Sequence, residues 1–430
     1  MSTEKLLEIP ELLILIGTFM SPSSLVASSC VSKFWHHTLQ HLVWHKVPIC
    51  PWNRRSPDVN DVLKYEAHVE SLQISDKWPN DSASRIAILK TISQLTHIKD
   101  LSIHRVFLEE VDAMKLLWDM CERAETLEFI GVKFITVGDL TTRTFPRVRA
   151  LKLSCCGDKL PFDWIDFLRR CPNLETIVWP DHLQSGRAVN EFLEKAANGT
   201  CWPALESIWK CRFQVSEDTL LPILTAMPRV TGWAAGAFGP RSYQILSNNL
   251  AILKRLDLGH CQGGTTASIL QEIMSSCPQL EILRWGRIDG NDMIRGRPWV
   301  CTGLRELGIT IMFDREEIDQ LQPLVFERLS QLTALEYLDF SGKPTEEEWA
   351  EEYMEAGGEC TPTRGNLDLL YEQSCFIPFR KSVDLRLGKG LEKLATLRRL
   401  KKLHFEHIVQ HMGDDEVEWI LKHWKWLTYL

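Results

Sequence analysis

One phrase recurs along this chain and limits what it can become. From Leu253 the residues read LKRLDLGHCQ; a helix-prone run, SILQEIMSSCPQ, follows, and at Leu280 the phrase returns as LEILRWGRI. Written as LxxLxL with substitutions, copies start at Val69, Ile98, Ala124, Val148, Leu174, Leu205, Val230, Leu253, Leu280, Leu304, Leu335 and Leu400. A frayed copy closes the series at Leu427. Successive starts lie 23 to 31 residues apart until a single gap of 65 between Leu335 and Leu400. A strand, a helix and a return cannot bury their own apolar side, so each turn must stack on its neighbours.

The fullest copies, at Val148 and Leu253, place a cysteine three residues after the last strand leucine (Cys156, Cys261). A Cys-Pro pair precedes the next copy in each case (Cys171-Pro172, Cys277-Pro278). A small thiol suits a tight buried turn, and proline stops a helix before the next strand. This form resembles the cysteine-containing leucine-rich repeats. The fold expected is therefore α/β: a curved, irregular leucine-rich-repeat solenoid. The Leu205 and Val230 copies fit it poorly. Between Ser341 and Lys393 the rhythm fails around an acidic run, PTEEEWAEEYMEAGGE.

Residues alternate sides along a strand, so the leucines point inward and their neighbours outward. The outward set predicted for target binding is Lys152, Trp209, Asp257, Arg284, Glu306, Tyr337, Asp339 and His404, with Ser154 beside them. Tyrosine, tryptophan and arginine favour recognition hot spots, which raises Trp209, Arg284 and Tyr337. The plainer alternative is that each is a solvated strand residue. Trp179, Trp233 and Trp285 occupy leucine positions and are expected in the core.

Residues 1–50 follow another pattern. Pro10 opens a helix apolar almost all round, through Leu12, Leu13, Ile14, Leu15, Ile16, Phe19 and Met20. Such a helix needs covering on more than one side. Ser21 and Pro22 start a second helix; a third carries Val31, Trp35, Leu39 and Leu42 on one stripe. Three short helices make too small a core to stand alone comfortably. They either cap the first repeat or also await another protein.

The string IPELLILIGTFMSPSSLVASSCVSKFWHHTLQHLVW resembles an F-box. The matching landmarks are Ile9, Pro10, Leu12, Leu13, Ile16, Leu25, Ser29, Val31, Ser32, Lys33, Trp35 and Trp44; Glu11 directly follows Pro10, one residue earlier than the family pattern has it. That resemblance implies a substrate-recruiting subunit of an SCF ubiquitin ligase. Its F-box would dock on a Skp-family adaptor, and through it a cullin, while the repeats hold an unidentified target. The adaptor-binding residues it implies are Ile9, Pro10, Leu12, Leu13, Ile16, Leu25, Val31 and Trp35. Residues 1–50 would form the F-box, 51–68 a linker or cap, and 69–430 the repeats with an insertion at about 341–393. The alternative is a repeat scaffold for protein assembly outside ubiquitin transfer.

Composition narrows the remaining classes. Of 430 residues, 44% are hydrophobic and 25% charged, with a net charge of −8 and no long basic run, which disfavours nucleic acid as the main partner. Thirteen cysteines without one Cys-x-x-Cys pair suit reduced, buried thiols in a cytoplasmic or nuclear protein. The apolar run Leu12 to Ile16 is too short to span a membrane. His37, His41 and His45 share a helix face, yet no Cys, Asp or Glu completes a metal set there. His404, His407 and His411 carry no stronger metal signal, and Gly388-Lys-Gly390 lacks the rest of a phosphate loop. No nucleophile–base arrangement is legible, so neither enzyme activity nor a cofactor is expected.

Overall fold

The structure is a computed structural model. It describes residues 9–50, 56–75, 81–108, 110–134, 142–154, 164–178, 192, 194–196, 198, 202–211, 217–227, 229–235, 238–258, 267–313, 317–340, 383–405 and 412–428. Cys156, Cys261, Trp179, His407, His411 and the acidic run of the expected insertion lie outside the described residues. The chain divides into two compact units, Met1–Cys211 with Ala226–Pro228, and Arg212–Thr225 with Arg229–Leu430.

The first unit opens with three helices, α1 (Pro10–Thr18), α2 (Pro22–Ser29) and α3 (Lys33–His45). Pro10 and Pro22 each sit in a first turn, where their missing N–H costs nothing. Ser21 caps α2 by accepting from Ser24 N–H, and Ser32 caps α3 by accepting from Trp35 N–H. The Ser32 cap leaves Val31 outside the third helix, whose stripe had been expected to include it. A cluster of Leu13, Leu25 and Leu39 binds the three helices, with Met20, Trp35, Leu42 and Val43 packed against it. Gly17 lets α1 approach α3 closely: a Cβ there would meet Leu42 Cδ1 at 2.7 Å and Leu39 Cδ2 at 3.0 Å.

Helix α3 passes straight into strand β1 (Lys46–Ile49). Six parallel strands follow in chain order: β2 (Ser71–Ile74), β3 (Asp100–His104), β4 (Thr126–Ile130), β5 (Ala150–Ser154), β6 (Thr176–Val178) and β7 (Ser207–Cys211). The sheet thus starts one turn before Val69, inside the stretch read from sequence as head alone. In the second unit β8 (Gly232–Ala235), β9 (Arg255–Asp257), β10 (Ile282–Asp289), β11 (Glu306–Met312), β12 (Tyr337–Asp339) and β13 (Lys402–His404) pair in the same manner. β12 pairs directly with β13, so the 65-residue gap skips no strand.

Register follows the leucine phrase. Leu72, Leu101, Leu127, Leu151, Ile177 and Ile208 stand opposite one another across the first sheet. Trp233, Leu256, Leu283, Leu307, Leu338 and Leu403 do so across the second. All twelve are buried, as are all twelve first positions from Val69 to Leu400. Fully burying each such side chain contributes about 1.5–3 kcal/mol. Trp233 is core, as expected.

A further buried position lies three residues before most phrases, where the turn closes. Cys121, Cys171, Cys277 and Cys301 occupy it, as do Phe145, Trp202, Leu332, Leu397 and Trp424. The carbonyl there accepts the N–H of the phrase's first residue, as at Leu304 N to Cys301 O, 3.0 Å. Burial pushes these thiols up, Cys277 and Cys301 to about 12, so they stay protonated and apolar.

The residue after each first position stitches the turns. Glu70 O accepts from Lys99 N at 2.7 Å and Asp100 N at 3.0 Å. Lys99, Glu125, Arg149 and Glu175, then Lys254, Glu281, Arg305 and Glu336, repeat this two-donor carbonyl. Thr428 N donates to Lys401 O at 2.8 Å, so the frayed copy at Leu427 contributes this bond.

Gly131 has φ +62°, and Arg105, at the matching place one turn earlier, has φ +52°. A Cβ on Gly131 would also lie 3.2 Å from Arg105 Cγ. L-residues in this conformation cost about 1–2 kcal/mol. Gly131→Ala is therefore expected to lower the first unit's stability by about 1 kcal/mol in chemical denaturation.

Candidate functional site

The head presents two different stripes on α1. Leu13 and Gly17, one turn apart, face its own core, and Leu13 is fully buried. Leu12, Leu15, Ile16 and Phe19 form the opposite stripe at helical spacing. They are 36%, 55%, 39% and 84% exposed. Val26, Val31 and Phe34 are also exposed. Soluble chains rarely leave so many large apolar side chains uncovered within so few residues.

The residues implied for adaptor docking therefore separate. Leu12, Ile16 and Val31 lie outside, Pro10 is exposed and Ile9 half-buried. Leu13 and Leu25 lie in the internal cluster, with Trp35 packed on it. Those three shape the head from within because α1 has to cover α2 and α3 as well as face solvent. Leu15, Phe19, Val26 and Phe34, outside that set, are exposed as well. The i, i+3, i+4, i+7 spacing of Leu12, Leu15, Ile16 and Phe19 was readable, but an all-apolar helix does not announce which stripe wins the core.

On the second unit's sheet, the face turned from the leucines gathers six of the expected recognition residues, although Asp339, expected to be exposed, is buried at 8% beneath Tyr337 and His404. Arg284 Nε donates to Glu306 Oε2 at 3.1 Å. Tyr337 O–H donates to Asp339 Oδ2 at 3.0 Å, and His404 Nδ1 lies 3.3 Å from Asp339 Oδ1. The register delivers them: Glu306 stands opposite Tyr337, and Asp339 opposite His404. Asp257 stands opposite Arg284 on the same face. Gly308, opposite Asp339, adds no side chain between Arg284 and Asp339. Burial, then the Asp339 carboxylate, pushes the Tyr337 phenol up to about 12, so it remains a donor at neutral pH. Arg287 stands past the register shift between Leu283 and Gly286, and burial pulls its guanidinium pKa down.

In the first unit, the corresponding face carries a chain of polar contacts. Gln73 Nε2 lies 3.2 Å from His104 Nδ1, Ser102 Oγ lies 2.6 Å from His104 Nε2, and Ser102 donates to Glu128 at 2.6 Å. Lys152 is exposed beside Glu128. Trp209, expected as an exposed anchor, is only 5% exposed. It has the right side of the strand but no open surface, so it leaves the set of free recognition residues.

One feature escaped the sequence reading. Most stitching positions carry alternating charge: Glu70, Lys99, Glu125, Arg149 and Glu175 in the first unit, where Glu206 then breaks the series, and Lys254, Glu281, Arg305, Glu336 and Lys401 in the second. Lys99 lies 2.7 Å from Glu70, Arg149 3.0 Å from Glu175, and Glu336 2.7 Å from Arg305 and 2.6 Å from Lys401. Hydrogen bonds from Lys401 and Arg305 hold Glu336 below the usual carboxylate range. Exposed pairs of this kind contribute only about 0–1 kcal/mol each. Where the signs alternate, each turn meets an opposite charge on the next.

No family model matches the chain, and no curated protein matches it. Among solved structures the chain is similar to a crystal structure of a TLR13–ssRNA13 complex, with 13% identity and a TM-score of 0.34 over 92% of this chain. It spans about half of that protein, 52% of its length. Among the described residues, no helix is long and apolar enough to cross a membrane.

Proposed function

We propose that this chain is the target-recruiting subunit of an SCF-type ubiquitin ligase, an F-box joined to leucine-rich repeats and working in the cytoplasm or nucleus. The observation that carries the reading is the outer apolar face of the head. A cap for the repeats needs one buried side. This head has that side and still leaves Leu12, Leu15, Ile16 and Phe19 in solvent. A Skp-family adaptor offering an apolar groove would cover them, with a cullin following.

Direct passage of α3 into β1 supports a bridging role, because it leaves no linker between the head and the sheet. The target would lie on the outward sheet residues, with Arg284, Glu306, Tyr337 and His404 as its polar contacts and the buried Asp339 orienting Tyr337 and His404. The chain itself would do no chemistry; it would raise the local concentration of target lysines near the loaded enzyme.

Purification of the full tagged chain from cells should bring down a Skp-family adaptor and a cullin together. Pro10→Ala or Leu12→Ala should reduce both while targets held by the repeats persist. Adaptor without cullin would turn the reading toward assembly outside ubiquitin transfer. Absence of both would end it.

A further inference from the structure

We infer that the rim leading into β13 holds an acidic segment of the target, a short run of aspartates and glutamates beside an apolar residue. This rests on the target-recruiting reading above and names the chemistry of what is recruited. From Leu397 to Phe405 the chain reads LRRLKKLHF, without one acid, in a protein whose net charge is −8. Arg398, Arg399, Lys401 and Lys402 are all exposed. Lys401 is bonded to Glu336 at 2.6 Å. Among the described residues, none pairs with the side chains of Arg398, Arg399 or Lys402.

The last turn extends this rim. Leu400 N donates to Leu397 O at 3.1 Å, and Leu427 N to Trp424 O at 3.0 Å, so both turns close in the same way. Thr428 N donates to Lys401 O at 2.8 Å. The shared spacing then sets Lys425 beside Arg398, and Trp426 beside Arg399. Lys425 is exposed, and Trp426 is 68% exposed. The end of the helix Asp414–His423 accounts for a base at Lys425. It does not account for Lys402, which lies in a strand.

Charge sets the sign of the occupant: unpaired arginines suit carboxylates, which they grip through two parallel hydrogen bonds. Single exposed ion pairs contribute little, so an apolar side chain laid on Trp426 supplies the anchor. Continuity sets its owner. Lys402 stands opposite Tyr337 and shares the outward side of β13 with His404, because Leu403 between them is buried. The rim therefore runs into the face assigned to the target. Extent argues against nucleic acid, whose phosphates call for cations over many turns. One turn before Lys401 the rim carries Glu336, and Arg305 beyond it is spent on Glu336 at 2.7 Å.

The test is fluorescence anisotropy of a labelled peptide, Glu-Glu-Glu-Leu-Glu-Glu, titrated with the purified full chain. Binding is expected, weakening as salt is raised. Arg399→Glu with Lys402→Glu should weaken it about tenfold or more, and Trp426→Ala should weaken it severalfold. Circular dichroism checks that each variant is folded, and each should still bring down adaptor and cullin. Absence of peptide binding, or binding indifferent to the charge variant, would overturn the inference even with adaptor and cullin present. Peptide binding without adaptor would uphold the rim as an acidic-peptide site and count against the ligase reading alone. Tenfold tighter binding of a phosphoserine peptide or of single-stranded DNA would overturn carboxylates as the group recognised. Binding that emerges only after residues 344–359 are removed would overturn the target as occupant, giving the rim to the chain's own acidic run.

Discussion

Leu15→Asp with Phe19→Asp is expected to abolish adaptor binding while the chain stays folded. Both side chains lie mostly in solvent, 55% and 84% exposed, so their replacement removes little from the core. Surface changes of this kind usually shift stability by about 0.5 kcal/mol or less. On docking, however, two carboxylates would have to leave water for an apolar groove. Each hot-spot loss costs about 2 kcal/mol or more, so a fall in affinity of at least a hundredfold is expected. Leu13→Ala gives the contrasting result. Leu13 is fully buried between the helices, and such truncations cost about 2–5 kcal/mol. That variant should lose adaptor binding because the head unfolds, visible as lost helical dichroism. Calorimetry with purified adaptor separates the two. Wild-type affinity in the double aspartate variant would remove the outer stripe of α1 from the docking face.

The same pair of residues marks where sequence was legible. The repeat was readable at every start from Val69 to Leu400, because burying one face fixes the side-chain period and register. The strand at Lys46–Ile49 was hidden: its apolar residues, Val47 and Ile49, follow a helix with no turn between them. Alternation was enough to tell which strand residues turn away from the leucines, yet only register brings Arg284 to Glu306, and Tyr337 and His404 to Asp339. Trp209 and Asp339, both buried, show the converse error, since alternation assigns a side and says nothing about what covers it. The alternating charges from Glu70 to Glu175 were available to the eye. They are spaced a full repeat apart and acquire meaning only when the turns stack.

Phe167→Ala should be the most damaging single truncation in the first unit. Phe167 lies on the helix Trp164–Arg169, fully buried, with its ring centroid 4.9 Å from Phe145, 5.7 Å from Trp118 and 5.9 Å from Phe129. Those partners come from the helix Val111–Cys121, from β4 and from the turn before β5, so one ring ties three successive repeats. Aromatic truncation in a core costs about 3–5 kcal/mol through lost contact and the cavity left behind. Aromatic pairing adds about 0.5–1.5 kcal/mol per pair beyond burial. In a stacked chain each repeat relies on its neighbours, so the loss should spread along the first unit instead of staying at one turn. Hydrogen exchange should speed in β3 to β6 together and leave β10 to β13 unchanged. Phe107→Ala, whose ring is 43% exposed, should cost far less. Equal losses from the two would mean that the aromatic cluster is not what joins the repeats.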